Sequence, residues 1–269
     1  MENLDYLISY LLGERGEDIS KYEGRDKRRL YRALANIRQP KEISNEYKWD
    51  LDKMYPNKEA IEADIAYIEK ENEFLQLRNN DTYDAKNINE KISIWHGDIT
   101  KLKIEAIVNP ANSQGTGCYQ PNHNCLDNQI QTFAGIRLRL ECAKRMEQIG
   151  TLETAKCFTT NAYNLPCKKV IHTVGPIVRN QLNNEHKELL KETYINILNE
   201  ARKNNIKEIA IPEISTGVFG FPKVEAAKIA VKIVIENQDG FEKIIFAVYE
   251  EKDKEYYERE LEKVKRNNK

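Results

Sequence analysis

The chain has 269 residues, of which 40% are hydrophobic and 32% are charged, with a net charge of −1. This length allows one large domain with an appendage or two modest domains, and the composition is that of a globular protein rather than a disordered or fibrous one. The near-zero net charge gives no global attraction to polyanions, so we expect no nucleic-acid partner. The start Met1-Glu2-Asn3 is unlike a signal peptide, and no apolar run approaches the roughly 20 residues that span a bilayer, so we expect no membrane association. An odd number of cysteines without an export signal predicts free thiols in a cytoplasmic protein.

Residues 1–88 are predicted to be helical. Apolar residues recur at helical spacing in two short segments, and a longer charged helix is predicted over residues 58–78. These apolar positions are Leu4, Leu7, Ile8, Leu11, Leu12, Leu30, Leu34, Ile37, Ile61, Ile65, Ile68 and Leu75. Pro40 and Pro56 interrupt the pattern, and polar residues after Asn79 mark a boundary. No residue here suggests chemistry. We therefore expect a helical extension over 1–88, packed on a main domain over 89–269, although a partner surface is the alternative.

From residue 91 onward, predicted strands alternate with predicted helices. Strands are expected at 92–95, 105–109, 155–161, 170–174, 206–215 and 244–249, and helices at 127–147, 185–204, 222–236 and the charged C-terminus. This alternation predicts an α/β domain with helices on both faces of a largely parallel sheet. Ligands of such sheets bind beyond the carboxyl ends of the strands, where the unusual loops of this sequence lie.

One of these loops contains Cys118, His123 and Cys125 in the pattern Cys-x4-His-x-Cys. Thiolate and imidazole ligands together suit zinc, and three protein ligands leave one tetrahedral position open, as in catalytic zinc sites. The other cysteines are scattered and form no second cluster. The alternative is three unrelated loop side chains, but the close spacing favours a metal site.

A second loop, Ile214–Pro222, follows a strand and opens a helix. Its glycines permit close backbone approach, and a helix N-terminus attracts anions, so the loop is a candidate for binding phosphate or pyrophosphate. A plain glycine turn is the alternative; Phe219 and Phe221 favour function because exposed aromatics can wall a sugar or base.

Other polar residues also follow strands. Asn109 and Asn112 could orient a ribose hydroxyl or form an Asx turn. Asp98 could accept from an exocyclic amine or cap a turn, and Asp127 lies at a helix start, where a carboxylate is favoured. His172, inside an apolar strand, is predicted to be a core histidine.

The segments GDIT, NPAN, DNQIQ-x-x-AG and ISTGVFGFP, in this order, resemble the macrodomain, an ADP-ribose-binding three-layer α/β/α sandwich. The similarity covers roughly residues 91–250. The inserted Cys-x4-His-x-Cys resembles the zinc-dependent branch of microbial macrodomains, and the leader with YRALANIRQP resembles the extension that those proteins carry.

That branch removes ADP-ribose from proteins, typically from esters of acidic residues. It is often encoded beside a sirtuin-type ADP-ribosyltransferase and a lipoylated carrier of the glycine-cleavage type. The resemblance therefore implies a mono-ADP-ribosylated protein as substrate, with such a carrier as a candidate, and ADP-ribose as product. The implied ADP-ribose-binding residues are Asp98 for the adenine amine, Ile99 beside it, Asn112 for the distal ribose, Ser215, Thr216, Gly217, Val218 and Phe219 for the diphosphate, and Tyr249 for stacking on adenine.

Two departures separate this chain from ordinary hydrolytic macrodomains. The metal-ligand loop replaces a glycine-rich run before Asp127, and Gln131 occupies a position where histidine is usual. The water-activation scheme of the ordinary branch therefore does not transfer unchanged.

We hypothesise zinc-assisted hydrolysis, with the open zinc position beside the anomeric carbon of the distal ribose. Asp127 is the candidate base or water-positioning residue, and Asn112 orients the sugar. The main rival is a reader module that binds ADP-ribose without cleaving it and carries a structural zinc. Binding of RNA or poly(ADP-ribose) is a third class, which the net charge disfavours.

Overall fold

The computed structural model describes residues 2–38 and 58–267, which divide into two compact units. The first unit comprises the described residues of 1–81 together with Thr116–Gly150 and Tyr163–Leu165. The second unit comprises the rest of the described chain. The predicted division into a 1–88 extension and an 89–269 domain stays a prediction.

The first unit is helical. Its long helices are α1 (Glu2–Gly13), α2 (Lys27–Ile37), α3 (Lys58–Gln76), α4 (Leu126–Ala134) and α5 (Ile136–Ile149), and 3-10 turns occur at Ile19–Tyr22 and Leu77–Asn80. The helices predicted from the apolar spacing in the leader are thereby confirmed. The predicted interruptions at Pro40 and Pro56 lie outside the described residues.

The core of the first unit joins the leader to α5. Apolar residues of α1, α2 and α3 pack together and against Ile136 of α5. The buried members of this core are Leu4, Leu7, Ile8, Leu11 and Leu12 of α1, Tyr31 and Leu34 of α2, and Tyr67 and Leu75 of α3. The Glu71 carboxylate, 2% exposed, accepts from Tyr31 at 2.8 Å, Tyr67 at 2.7 Å and the Ile136 N–H at 2.8 Å. Because a buried carboxylate needs such donors, this network fixes α2, α3 and the start of α5 together.

The single helix predicted over residues 127–147 is wrong, because Gly135 separates α4 from α5. Gly135 has φ +85°, a left-handed conformation that favours glycine. A Cβ atom there would lie 2.9 Å from both Asn164 Nδ2 and Glu71 Oε2, so there is also no room for a side chain. The chain therefore turns at this position and starts a second helix.

The second unit is built on a six-stranded sheet. Its strands are β2 (Ile92–His96), β4 (Ala106–Pro110), β5 (Cys157–Asn161), β6 (Lys169–Thr173), β7 (Glu208–Pro212) and β8 (Lys243–Val248), in the order β2-β8-β7-β4-β6-β5. All neighbours are parallel except β5 and β6. Two further short strands, β1 (Tyr83–Asp84) and β3 (Leu102–Lys103), pair with each other.

Three helices complete the second unit: α6 (Asn184–Lys203), α7 (Lys223–Glu236) and α8 (Glu251–Asn267). Their apolar faces share one core with the sheet, in which α6 and α7 contribute mainly Ile, Leu, Val and Ala. The predicted α/β fold with a mixed, largely parallel sheet is confirmed. Among the described helices, none is long and apolar enough to cross a membrane.

Two strands are shorter than predicted, which lengthens the loop after β7 and the segment before β5. β7 ends at Pro212, before the predicted end at Ser215, and Ser215 itself has φ +66°, outside the extended conformation. β5 begins at Cys157, two residues after Ala155, which has φ +67°. The segment from Glu213 to Pro222 is consequently a loop that connects β7 to α7.

Candidate functional site

The structure brings Cys118, His123 and Cys125 together in the first unit. One ligand atom from each side chain lies within 4.8 Å of the other two, and the three residues are half-buried. Cys118 Sγ is 3.6 Å from His123 Nδ1. A tetrahedral zinc ion with bonds of about 2.3 Å to sulfur and about 2.1 Å to nitrogen separates two such ligand atoms by about 3.6 Å. The donor set and its spacing therefore fit zinc.

The local sequence shapes this loop through turns and a helix cap. The His123 N–H donates to the carbonyl of Gln120 at 3.2 Å, and Asn122 adopts φ +54°, which asparagine tolerates better than most residues. Cys125 is the N-cap of α4, and its Sγ accepts from the N–H of Asn128 at 3.4 Å. The third ligand is thus fixed by the start of a helix.

Burial raises the pKa of the Cys125 thiol to about 12, opposed by the Asn128 N–H and reinforced by the Cys118 thiol. A thiolate is the form that binds metal, so binding has to release the proton, and the nearby helix N-terminus favours the resulting anion.

Asp127 lies in the first turn of α4 and is only 4% exposed. Burial lowers the pKa of the Arg139 guanidinium, while Tyr119 and Asp127 act in the opposite direction. Arg139 lies over the Tyr119 ring, 4.4 Å from its centroid, and donates to the carbonyl of Asn36 at 2.7 Å. Arg139 is thus a buried cation whose charged form is stabilised by Asp127 of α4.

Gln131 is buried next to the loop. Its Nε2 donates to Cys142 Sγ at 3.7 Å, and its Oε1 has no hydrogen-bond partner among residues 2–38 and 58–267. A Cβ atom on Gly117 would lie 2.5 Å from Gln131 Cγ. Glycine at 117 is therefore needed for the loop to pass this side chain.

Sequence reasoning missed the part that the leader plays in this loop. Arg32 and Asn36, four residues apart on α2, bond to the loop that carries the metal-binding set. No sequence motif identifies these two residues. The only indication in the sequence is that residues four apart lie on the same face of a helix.

The Glu213–Pro222 loop lies in the second unit. Within it, the Gly220 N–H donates to the carbonyl of Gly217 at 2.9 Å and the Phe221 N–H to that of Ser215 at 3.0 Å. The N–H groups of residues 216–219 donate to no acceptor in the described chain. Four successive donors close to the N-terminus of α7 are a suitable anion site.

Close backbone approach holds this loop against the segment after β6. A Cβ atom on Gly220 would lie 2.6 Å from the carbonyl oxygen of Val178, whose N–H donates to the carbonyl of Phe219 at 2.7 Å. Glycine is therefore required at 220 for this close approach, whereas Gly217 has open space around its Cβ position.

The interpretation of Phe221 as an exposed wall is wrong. Phe221 is 1% exposed and belongs to the core of the second unit, because it points inward where the loop enters α7. Phe219 is half-buried, and Val218 is 79% exposed. Phe219 and Val218 therefore remain candidates for contact with a ligand.

The remaining predicted ligand-binding residues occupy ends of strands in the second unit. Asp98 caps the 3-10 turn Ile99–Lys101, accepting from the Thr100 N–H at 3.0 Å, and the Ile99 side chain is buried. Asn112 Oδ1 accepts from the Gln114 N–H at 3.0 Å in an Asx turn. Tyr249, directly after β8, is 71% exposed and can offer a ring face to a base.

His172 is buried in β6, as predicted. It bonds to Asn109 at 3.1 Å and Thr160 at 2.9 Å and stacks on Phe158. Burial lowers the pKa of His172 to about 3, so the ring is neutral. Asn109, 0% exposed, contacts His172.

Comparison with known proteins identifies relatives over nearly the whole chain. A protein of Treponema medium named Protein-ADP-ribose hydrolase is 42% identical over 260 residues, which cover 94% of this chain and 95% of that protein. A protein of the same name from Staphylococcus aureus is 38% identical over 267 residues, covering 96% and 94% of the two chains.

The structural comparison agrees. The Trypanosoma brucei macrodomain in complex with ADP-ribose is 32% identical, with a TM-score of 0.54, and the alignment covers 63% of this chain and 68% of that one. The Macro domain family matches residues 108–230. With these relatives, the fold and both loops in place, the chain belongs to the macro domain family.

Proposed function

We propose that this protein is a zinc-dependent hydrolase that removes mono-ADP-ribose from modified acidic residues of a protein and releases ADP-ribose. The names and coverage of the Treponema medium and Staphylococcus aureus relatives support the hydrolysis of protein-linked ADP-ribose. The observation that carries the metal part is the convergence of Cys118, His123 and Cys125 within 4.8 Å.

Cys118, His123 and Cys125 would hold the zinc ion and leave a position for water or substrate. The ion would polarise an oxygen there or lower the pKa of water to about 7. The S/N/S donor set excludes hard cations such as magnesium as preferred occupants.

Asp127 is the proposed base or water-positioning residue. Asp127 lies in the first turn of α4, two residues after the metal ligand Cys125 and at the N-terminus of the helix. In this role the Asp127 carboxylate would accept a proton from water. Asn112 is proposed to orient the distal ribose.

The second unit is proposed to bind the rest of ADP-ribose. The N–H groups of residues 216–219 donate to the diphosphate, and the exposed ring of Tyr249 stacks on adenine. The adenine amine is assigned to Asp98, with Ile99 beside it. These assignments are supported by the positions of Asp98 and Tyr249 just after β2 and β8 and of residues 216–219 in the loop after β7.

The proposed substrate is a mono-ADP-ribosylated protein, with a lipoylated carrier of the glycine-cleavage type as a candidate. We also propose a cytoplasmic location, because Cys118 and Cys125 have to stay reduced to bind metal, and none of the five cysteines, all of which lie in the described part of the chain, forms a disulfide.

The test uses a protein carrying ADP-ribose on an ester-linked acidic residue. The zinc-loaded protein should release free ADP-ribose, chelator treatment should stop release, and added zinc should restore it. Tight binding of ADP-ribose without release would instead support the reader module. Release that is unaffected by complete removal of metal would refute the zinc dependence while leaving the hydrolase assignment intact.

A further inference from the structure

We infer that Arg32, on helix α2 of the leader, is a positioning residue that holds the Cys118/His123/Cys125 loop in its metal-binding geometry. The inference rests on the metal assignment in the proposed function. According to this inference, the leader helps to set the geometry of the metal-binding loop.

Arg32 contacts the loop through a single guanidinium nitrogen. Its Nη2 donates to the carbonyl of His123 at 2.6 Å and to Oδ1 of Asn128 at 3.0 Å. Hydrogen bonds from a charged donor are shorter and stronger than neutral ones. The first bond therefore fixes the backbone of the histidine ligand directly.

The bond to Asn128 fixes the two cysteine ligands indirectly. Because an arginine can only donate, it orients Oδ1 of Asn128 toward itself and turns Nδ2 toward the loop. That Nδ2 donates to the carbonyls of Cys118 at 3.3 Å and Gln120 at 2.9 Å. The N–H of Asn128 donates to Cys125 Sγ at 3.4 Å. Arg32 and Asn128 together thus reach all three ligand residues.

Asn36 supports the same loop one helical turn later. Its Oδ1 accepts from the N–H of Asn122 at 3.0 Å, and its Nδ2 donates to Thr132 Oγ1 at 2.7 Å. Asn122 directly precedes His123 and has φ +54°, so this bond holds the backbone in a conformation that is seldom populated.

The loop-facing side of α2 is separate from its core-facing side. Tyr31 and Leu34 supply the apolar contacts of the helix with the core, whereas Arg32 is half-buried and faces the loop. Replacing Arg32 should therefore change the loop without removing core contacts.

The experiment measures zinc affinity of the full-length protein by competition with a chromophoric chelator. It also records the absorption spectrum of the cobalt(II)-substituted protein, which reports ligand geometry. The Arg32→Met variant should bind zinc about 10–100-fold more weakly, the loss typical of outer partners of metal ligands, and should show an altered cobalt spectrum. Arg32→Lys, which keeps the charge but not the planar fork, should lose less affinity than Arg32→Met. Arg29→Met, at an exposed position on the same helix, is the matched control and should behave as wild type.

The outcomes separate this inference from the metal assignment. If wild-type protein binds no zinc, the metal assignment fails and the inference fails with it. If wild type binds one zinc and folded Arg32→Met binds it with equal affinity and an unchanged cobalt spectrum, only the inference is overturned. Circular dichroism checks the helices; if Arg32→Met does not fold, Arg32→Lys decides, and wild-type affinity and spectrum in that variant would overturn the inference.

Discussion

A Cβ atom on Gly175 would lie 2.1 Å from Oγ of Ser215 and 2.6 Å from Cγ2 of Ile214. The segment after β6 thus approaches the loop after β7 as closely as a glycine allows. Gly175→Ala should displace the loop and lower the free energy of unfolding by about 1–3 kcal/mol, the usual cost of overpacking. It should also weaken ADP-ribose binding, because the displaced loop carries the proposed diphosphate donors.

Gly217→Ala is the matched control for this variant. A Cβ atom at Gly217 meets nothing within 4 Å, so thermal denaturation should show almost unchanged stability. Both variants are then titrated with ADP-ribose in a calorimeter. The comparison shows whether weaker binding comes from a displaced loop, as expected for Gly175→Ala, or from a changed ligand contact at Gly217. An equal effect of both variants on stability would contradict the close-approach argument.

Removing the exposed ring of Tyr249 should weaken ligand binding without affecting the fold. Stacking of a base on an aromatic side chain contributes about 1–3 kcal/mol, so Tyr249→Ala should raise the Kd for ADP-ribose about 5- to 150-fold. Tyr249→Phe keeps the ring and should bind like wild type. The adenine assignment would be wrong if Tyr249→Ala bound ADP-ribose as tightly as Tyr249→Phe.

The strand and helix pattern of the second unit could be predicted from the sequence because its strands are short and mostly apolar and turn residues separate them from the helices. Gly135 was missed because Ile130, Ala134, Leu138 and Cys142 continue one helical stripe across it. The end of β7 was missed because Ile214 is apolar and continues the strand pattern, while the left-handed φ of Ser215 has no signal in its residue type.

The candidate site was predictable where close sequence spacing forces proximity. Cys118, His123 and Cys125 lie within eight residues, and the structure brings them together. Arg32 and Asn36 were not predictable, because they reach the loop from about 90 residues earlier in the chain, through contacts that depend on helix packing. Phe221 was misassigned because composition alone does not say which side of a loop is buried.

Stability should depend on pH through Glu213, at the start of the loop between β7 and α7. Burial, followed by the nearby Asp253 carboxyl, raises the pKa of Glu213 to about 7, while Lys223 and the Tyr249 N–H oppose this rise. Lys223 also bonds to Glu250 at 3.0 Å and to Asp253 at 2.6 Å. Despite the opposing effect of burial, these bonds raise the pKa of Lys223, so it stays charged at neutral pH.

Because the folded pKa of Glu213 lies above its unfolded value of 4.5, its contribution to stability is complete below pH 4.5 and is lost as pH rises through about 7. The loss should be about 1–3 kcal/mol. Thermal denaturation from pH 5 to 8 should therefore show a decline in wild type that is smaller in Glu213→Gln. Parallel pH profiles for the two proteins would show that Glu213 is not the titrating group.

Asp127→Asn should separate catalysis from binding. The change preserves shape but removes the proposed proton acceptor, so the rate of ADP-ribose release should fall about 100- to 10,000-fold. Binding of free ADP-ribose, measured by calorimetry, should change only slightly. A variant that released ADP-ribose at the wild-type rate would remove Asp127 from the mechanism.

The most direct test of the zinc mechanism compares wild type with Cys118→Ala on an ester-linked ADP-ribosylated protein. Zinc content is measured on the same samples, and the fold is checked by circular dichroism. We predict that Cys118→Ala keeps its fold, contains no zinc and releases no ADP-ribose above background. A metal-free Cys118→Ala protein that releases ADP-ribose at the wild-type rate would contradict the zinc mechanism.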